Sequence, residues 1–272
     1  MKKLKMSPAM LGVIAFNIVL IAFYFSYKLN NSGLPDAEAK AHTRLKTLPD
    51  FSVYTDVKEK KAAFFETLYP IIEEENRHVL KLRKVIFTLK GAPELTDSQI
   101  DWLGTIATHY KIDATLPVDE LFSKLIQKVD FVPPSLALTQ AAIESGWGSS
   151  RFARKGANLF GHWCFTKGCG FVPSSRDSEK VHEVAKFASV NDAVRAYIKN
   201  LNTNAAYQEL RAKRASLRSA DAPVSGVALA TTLIGYSEEG TKYVQKVTRF
   251  IQQNNLQKYN EQFNQAILVA AI

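Results

Sequence analysis

The stretch "QAAIESGWGSSRFA", Gln140 to Ala153, sets an acidic residue, Glu144, inside an apolar helical run and follows it at once with Ser, Gly and Trp. The run begins upstream at "PPSLALT", where Pro134 occupies a favoured first-turn position, and Gly146 stands where a helix end takes left-handed geometry. Glu144 therefore falls in the last turn. Burial by Ala141, Ala142, Ile143 and Trp147 disfavours its charged form, and the negative end of the helix dipole pushes the same way. A carboxyl that keeps its proton near neutral pH is what a general acid in glycoside cleavage needs. The opposing reading is a carboxylate on a solvated helix face.

Outward from this helix the pattern stays helical. Residues from Asp56 to Gly91 carry apolar side chains at three-to-four spacing, with Pro70 a break or kink and Gly91 a stop. Thr96 caps a second helix, and "PVDELFSKLIQKVDF" is a short amphipathic third. Between Asn158 and Ser189, aromatic and β-branched residues alternate with Gly, Pro and Ser, and "KVHEVAKFA" alternates like a strand, which predicts a small β-hairpin between helical halves. Further helices follow in "SVNDAVRAYIKNLN", "NAAYQELRAKRASL", "SGVALATTL" and "EEGTKYVQKVTRFIQQN". The fold class is mainly α with a small β-hairpin lobe. Its expected parts are an anchor at 1–28, a linker at 29–54, a helical region at 55–130, a catalytic unit at 131–258 and a tail at 259–272.

The anchor is read from "MKKLK" followed by an uncharged apolar run, Met6 to Tyr27, long enough to cross a bilayer. Lys2, Lys3 and Lys5 hold the short end in the cytoplasm, which places the rest in the periplasm, attached to the inner membrane by one pass. A cleaved signal peptide would have only "AEA" at 37–39 as its site, far from the apolar run. The 272 residues carry a net charge of +9 without a Lys/Arg block, which argues against nucleic acid as a partner.

Cys164 and Cys169, with a "TKG" turn signal between them, suit a short disulfide outside the cytoplasm. A zinc site lacks a C-x-x-C pair despite His162 nearby, and a Cys nucleophile lacks a helix N-terminus to lower its pKa.

The segment "QAAIESGWGSSRFARKGANLFGHW" resembles the catalytic helix and following loop of the bacterial β-N-acetylglucosaminidase family, which includes autolysins and flagellar wall hydrolases. "FFETLYPIIEEENRHVLKLR", "HEVAKFAS" and "AYIKNLNTNAAYQELR" are similar to the Bax-like members of that family in Gram-negative bacteria, so the resemblance spans roughly residues 45 to 258. It implies a lysozyme-like α+β domain, the glycan strands of peptidoglycan as substrate, cleavage of the β-1,4 bond on the reducing side of N-acetylglucosamine, and no metal or organic cofactor.

The resemblance places the catalytic acid on Glu144 and the cleft tyrosine on Tyr236, with Tyr243 following as a substrate-binding or core residue. "YSEEG" departs from the family's small-Thr-Asp-Pro element here. A second carboxylate is expected on the hairpin, from Asp177, Glu179 or Glu183, with Glu183 favoured because it shares a strand face with Val181 and Ala185. Trp147 either stacks on a sugar ring or packs below Glu144, Trp163 has the same two readings, Asn158 is a candidate to bind substrate, and Phe160 and Gly161 read as packing and turn residues. The alternatives are a lytic transglycosylase on the same substrate and a non-catalytic wall-binding or scaffold protein.

Overall fold

The computed structural model describes residues 33–39, 44–173 and 181–270. Helix α1, Val57–Lys90, is its spine: Asp56 caps the first turn by accepting from the Lys58 and Glu59 amides at 2.8 and 2.9 Å, and one face buries Phe64, Leu68, Ile72, Leu82 and Ile86. The helix runs unbroken through Pro70, so of the expected break or kink the break is excluded. Pro70 lies on the exposed side, where the carbonyl it leaves without a donor faces water, and the buried stripe on the other side holds the helix together.

Helix α2, Asp97–His109, opens with a full capping box between Thr96 and Gln99, and α3, Val118–Lys128, lays Leu121, Phe122 and Leu125 on the spine. Helix α4, Pro134–Ser145, is central. Its residues from Pro134 to Ala142 are all buried, and α1, α8, α9 and α10 pack around it. A short α5, Arg151–Gly156, leads to three strands, β1 (Trp163–Cys164), β2 (Gly170–Phe171) and β3 (Glu183–Ala185). The sheet is antiparallel with order β1-β3-β2, and Val184 is opposed by both Trp163 and Phe171. The expected hairpin is thus a three-stranded sheet with its last strand in the middle. Gly170 is required there, since a Cβ would collide with the Val184 carbonyl.

The chain returns through α6 (Val190–Thr203), α7 (Gln208–Ser219), α8 (Gly226–Ala230), α9 (Thr241–Gln253) and α10 (Gln257–Ala270). One hydrophobic core joins residues from the spine, the central helix and the last helices. Residues 55–130 and 131–258 therefore share their interior.

Two expected boundaries are corrected. The described part of the linker is fastened to the domain: the Trp102 indole donates to the Pro35 carbonyl at 2.7 Å, Arg195 to the Ala39 carbonyl at 2.9 Å, and the Val190 amide to Leu45 at 2.8 Å, while Phe51 is buried against Phe64. The tail is helix α10, which buries Phe263 beside Phe131 and pairs Asn260 with the Ser135 amide and hydroxyl at 2.9 Å each. No helix among the described residues is long and apolar enough to cross a membrane, and Met6–Tyr27 lies outside them.

Candidate active site

Helix α4 ends at a turn built by its own sequence. Gly146 and Trp147 both take left-handed backbone, at φ 58° and 61°, and the Trp147 amide closes on the Ala142 carbonyl at 2.9 Å. The buried Ser145 hydroxyl accepts from the Gly148 amide at 2.7 Å and donates to the Ala141 carbonyl at 2.6 Å. A left-handed non-glycine residue is costly, by about 1–3 kcal/mol. What offsets it is the Trp147 ring, which meets Phe64, Phe65 and Phe250 edge-on or tilted at 5.3–5.5 Å, with the Lys61 ammonium 5.3 Å from its centroid. Trp147 is thus a packing anchor under the helix end, which corrects its assignment to substrate.

Glu144, one residue before that seal, is half-buried. Burial raises its pKa above the ordinary carboxylate value; a hydrogen bond from Tyr243 and the positive charge of Lys246 oppose the rise, and Glu239 adds to it. The Tyr243 hydroxyl donates to Glu144 Oε1 at 2.8 Å from α9. Behind it, Gln140 Nε2 donates to the Tyr243 oxygen at 3.0 Å, and the Tyr197 hydroxyl donates to Gln140 Oε1 at 2.5 Å. Tyr243, Gln140 and Tyr197 are each at most 2 % exposed, and burial together with the Glu144 charge holds the Tyr243 phenol well above its usual pKa.

Tyr236 has a different place from the one expected. Its ring stacks on Tyr243 at 5.3 Å and 10°, and its hydroxyl donates to the Phe160 carbonyl at 3.4 Å. The phenol on Glu144 is that of Tyr243, and Tyr236 backs it. Phe160 in turn stacks on Tyr197 at 4.0 Å, so the loop after α5 packs against the same tyrosines.

The β lobe corrects two more assignments. Asn158 is 2 % exposed and fully engaged: its Nδ2 donates to the carbonyls of His162 and Ala185 at 2.8 and 2.9 Å, and its Oδ1 accepts from the His162 amide at 3.0 Å. It latches the lobe to α5 and offers nothing to substrate. Glu183, 5 % exposed, accepts at 2.9 Å from the Gly168 amide, inside the loop closed by the Cys164–Cys169 disulfide, and at 2.8 Å from the Gly170 amide at the start of β2, just beyond it. Its carboxylate serves that loop. Val181, expected on the same face, is 70 % exposed.

Trp163 is exposed and stacks at 4.2 Å on His182. His162 is held neutral, its pKa lowered by burial to about 4. Cys164, Cys169 and Glu183 lie together, but sulfurs bonded to each other do not present thiolates to a metal. Asp177 and Glu179 fall outside the described residues.

The sequence did carry one missed signal: Gln140 is a polar residue in an apolar helix, one turn before Glu144 and so on its face. Tyr197, Lys246 and Glu239 come from elements whose approach to Glu144 no local pattern announces.

Comparison with known proteins bears on this arrangement. Residues 120–256 match the Glucosaminidase family, described as mannosyl-glycoprotein endo-beta-N-acetylglucosaminidase. Over 198 residues the chain is 35 % identical to Protein bax of Escherichia coli (strain K12), covering 72 % of this chain and 70 % of that one. Among solved structures it is similar to the catalytic domain of the autolysin Auto from Listeria monocytogenes, at 20 % identity and a TM-score of 0.36 over 65 % of this chain and 96 % of that one.

Proposed function

Because the chain belongs to the glucosaminidase family and is a glycoside hydrolase, we propose that it cleaves the glycan strands of peptidoglycan, as an endo-β-N-acetylglucosaminidase with Glu144 as general acid. The observation that carries this reading is the half-buried Glu144 carboxyl at the end of a buried helix, its pKa raised by burial and one oxygen held by Tyr243. In the reaction the Glu144 proton passes to the glycosidic oxygen as the bond to the anomeric carbon breaks, and the sugar cation is captured on its other face. The bond is the β-1,4 link on the reducing side of N-acetylglucosamine. On this reading the helical body and the small sheet are a lysozyme-like pair of lobes, and the substrate lies between them.

With Glu183 bound by two backbone amides, the support for that cation falls to Asp177, Glu179 or the substrate's own 2-acetamido group. The same observation favours a second reading, a lytic transglycosylase in which one carboxyl is acid and then base and the product is an anhydro sugar. Product mass separates the two, being lower by one water for the transglycosylase. We further propose that residues 6–27 anchor the enzyme in the inner membrane with the domain in the periplasm, from the lysines that precede an uncharged run of membrane length.

Glu144→Gln keeps size and polarity but delivers no proton. Release of soluble fragments from purified sacculi by the full chain should fall at least about a hundredfold, as expected for loss of positioned proton transfer. Undiminished cleavage by the Gln variant would sink the mechanism, and binding of sacculi without cleavage by the wild type would favour a wall-binding role.

A further inference from the structure

Three buried side chains stand behind Glu144 in a line that ends in the core. Tyr197, on α6, donates to Gln140 Oε1; Gln140 turns its Nε2 to the Tyr243 oxygen; and Tyr243 donates to Glu144 Oε1. The line has a direction because its middle member is an amide. A carboxamide nitrogen only donates, so the Tyr243 oxygen is an acceptor on that side and its single proton has one acceptor within reach, Glu144. Were the amide turned over, its oxygen would face Tyr243 and compete for that proton. The ionised Glu144 carboxylate, which only accepts, sets the line from its other end, and the amide then leaves Oε1 to the Tyr197 hydroxyl at 2.5 Å, whose ring is clamped by its stack on Phe160.

We propose that Gln140 and Tyr197 are positioning residues of the reaction: together they force the Tyr243 proton onto Glu144 Oε1 and so confine the proton that Glu144 donates to its other oxygen, Oε2. The consequence is chemical. A protonated Glu144 whose Oε1 is already an acceptor cannot place its proton there without two hydrogens meeting across 2.8 Å. Reversing the line would require the Gln140 amide to turn over at a site with no exposed surface and the Tyr197 hydroxyl to change from donor to acceptor. The acid therefore presents one oxygen as the proton carrier in every turnover, and orientation of this kind is what makes proton transfer efficient. Because Tyr243 bonds the ionised form, the line also sets where Glu144 loses its proton.

This rests on Glu144 being the general acid, and the experiment keeps the two apart. With the full chain and a soluble N-acetylglucosamine-containing glycan fragment, kcat and KM are measured across pH for Tyr197→Phe, Gln140→Met, Gln140→Glu and Tyr243→Phe. Each of the first two frees Tyr243 from its fixed direction or removes its support, and the alkaline fall of kcat/KM should move up by about one pH unit, as for a weakened bond to an ionised group, with KM unchanged. Gln140→Glu, of the same size, gives Tyr243 a rival acceptor and adds a like charge, so it should move the fall furthest. Two results would overturn the proposal. One is a shift in Tyr243→Phe with none in folded Tyr197→Phe and Gln140→Glu. The other is a loss of amplitude and melting temperature in all four with the pH profile in place, as a purely structural role would give. Full activity in Glu144→Gln would remove the premise and the relay together.

Discussion

The side-chain amide of Asn158 lies 2.9 Å from the carbonyl of Ala185, across 27 residues, and ties the last strand of the sheet to the exit of α5. Two further bonds from the same side chain hold His162 at both its amide and its carbonyl.

Asn158→Ala strands those backbone groups in a buried place. A buried unsatisfied group costs about 1–3 kcal/mol, and we expect a loss of about 2–4 kcal/mol in denaturant unfolding. Faster hydrogen exchange should appear first at the His162 and Ala185 amides. Activity should fall through disorder of the lobe, with the helical signal in circular dichroism retained. A wild-type melting point would contradict the latch.

Reduction of Cys164–Cys169 opens a loop whose cysteines are 5 positions apart. Restriction of so short a loop in the unfolded chain contributes about 2 kcal/mol. A Cys164→Ser, Cys169→Ser double variant should lose that amount and exchange the Gly168 amide faster, because the loop that offers it to Glu183 is no longer closed. Its kcat should stay within about threefold of wild type, since no sulfur takes part in proton transfer. Abolished catalysis in a folded variant would restore a role for the thiols.

The Lys246–Glu239 pair gives shifts of opposite sign at Glu144. Lys246 lowers the Glu144 pKa and Glu239 raises it, and the two are 3.6 Å apart and half-exposed. As the general acid proposed above, Glu144 works in its protonated form, so the alkaline fall of kcat/KM follows its pKa. Lys246→Gln should move that fall up and Glu239→Gln should move it down, each by about 0.5 pH unit or less for charges in contact with water. Both shifts should shrink as salt is raised from about 0.01 M to 1 M. An alkaline fall left in place by both substitutions would show that neither charge reaches Glu144.

Asp130 sits almost fully buried among Arg83, Arg214 and Arg218, with Arg218 bonded to it at 2.5 and 2.6 Å. Burial pushes its pKa up, but the three guanidinium groups outweigh it and hold the carboxyl below the usual value. The stability this supplies is complete above the unfolded pKa of about 3.9 and is lost as pH falls through the lower folded value. Asp130→Asn leaves buried cations without their partner and should cost about 3–5 kcal/mol at pH 7, a difference that shrinks toward pH 2. Melting temperatures of the two proteins that stay equally far apart from pH 7 to pH 2 would exclude this linkage.

What the sequence made legible was local. Pro134 and Gly146 bound the central helix where backbone geometry demands them, and Thr96 with Gln99 announces its own cap. Pro70 misled because its cost depends on which face of α1 it occupies, and that is decided by partners on other helices. The linker and the tail misled for a related reason: their polar composition hides a few contacts, such as Pro35 with Trp102 and Asn260 with Ser135, that join distant positions. At the site, Glu144 could be found from its helix. The choice between Tyr236 and Tyr243 could not, since both lie at the same end of the domain and only the approach of α9 to α4 settles which hydroxyl meets the carboxylate.

The fastened segment before α1 has a mechanical meaning. Leu48 and Phe51 press on Gly148 so closely that a Cβ there would lie 3.1 Å from the Phe51 ring, and Gly148 is the amide that closes the turn behind Glu144. Further upstream, Pro35 and Ala39 are bonded to α2 and α6, so the described part of the entering chain is held against the domain before the spine begins. The entering chain is a bracket and not a leash. It props from outside the turn that closes α4, so the backbone beneath Glu144 is shaped by residues that precede the first helix.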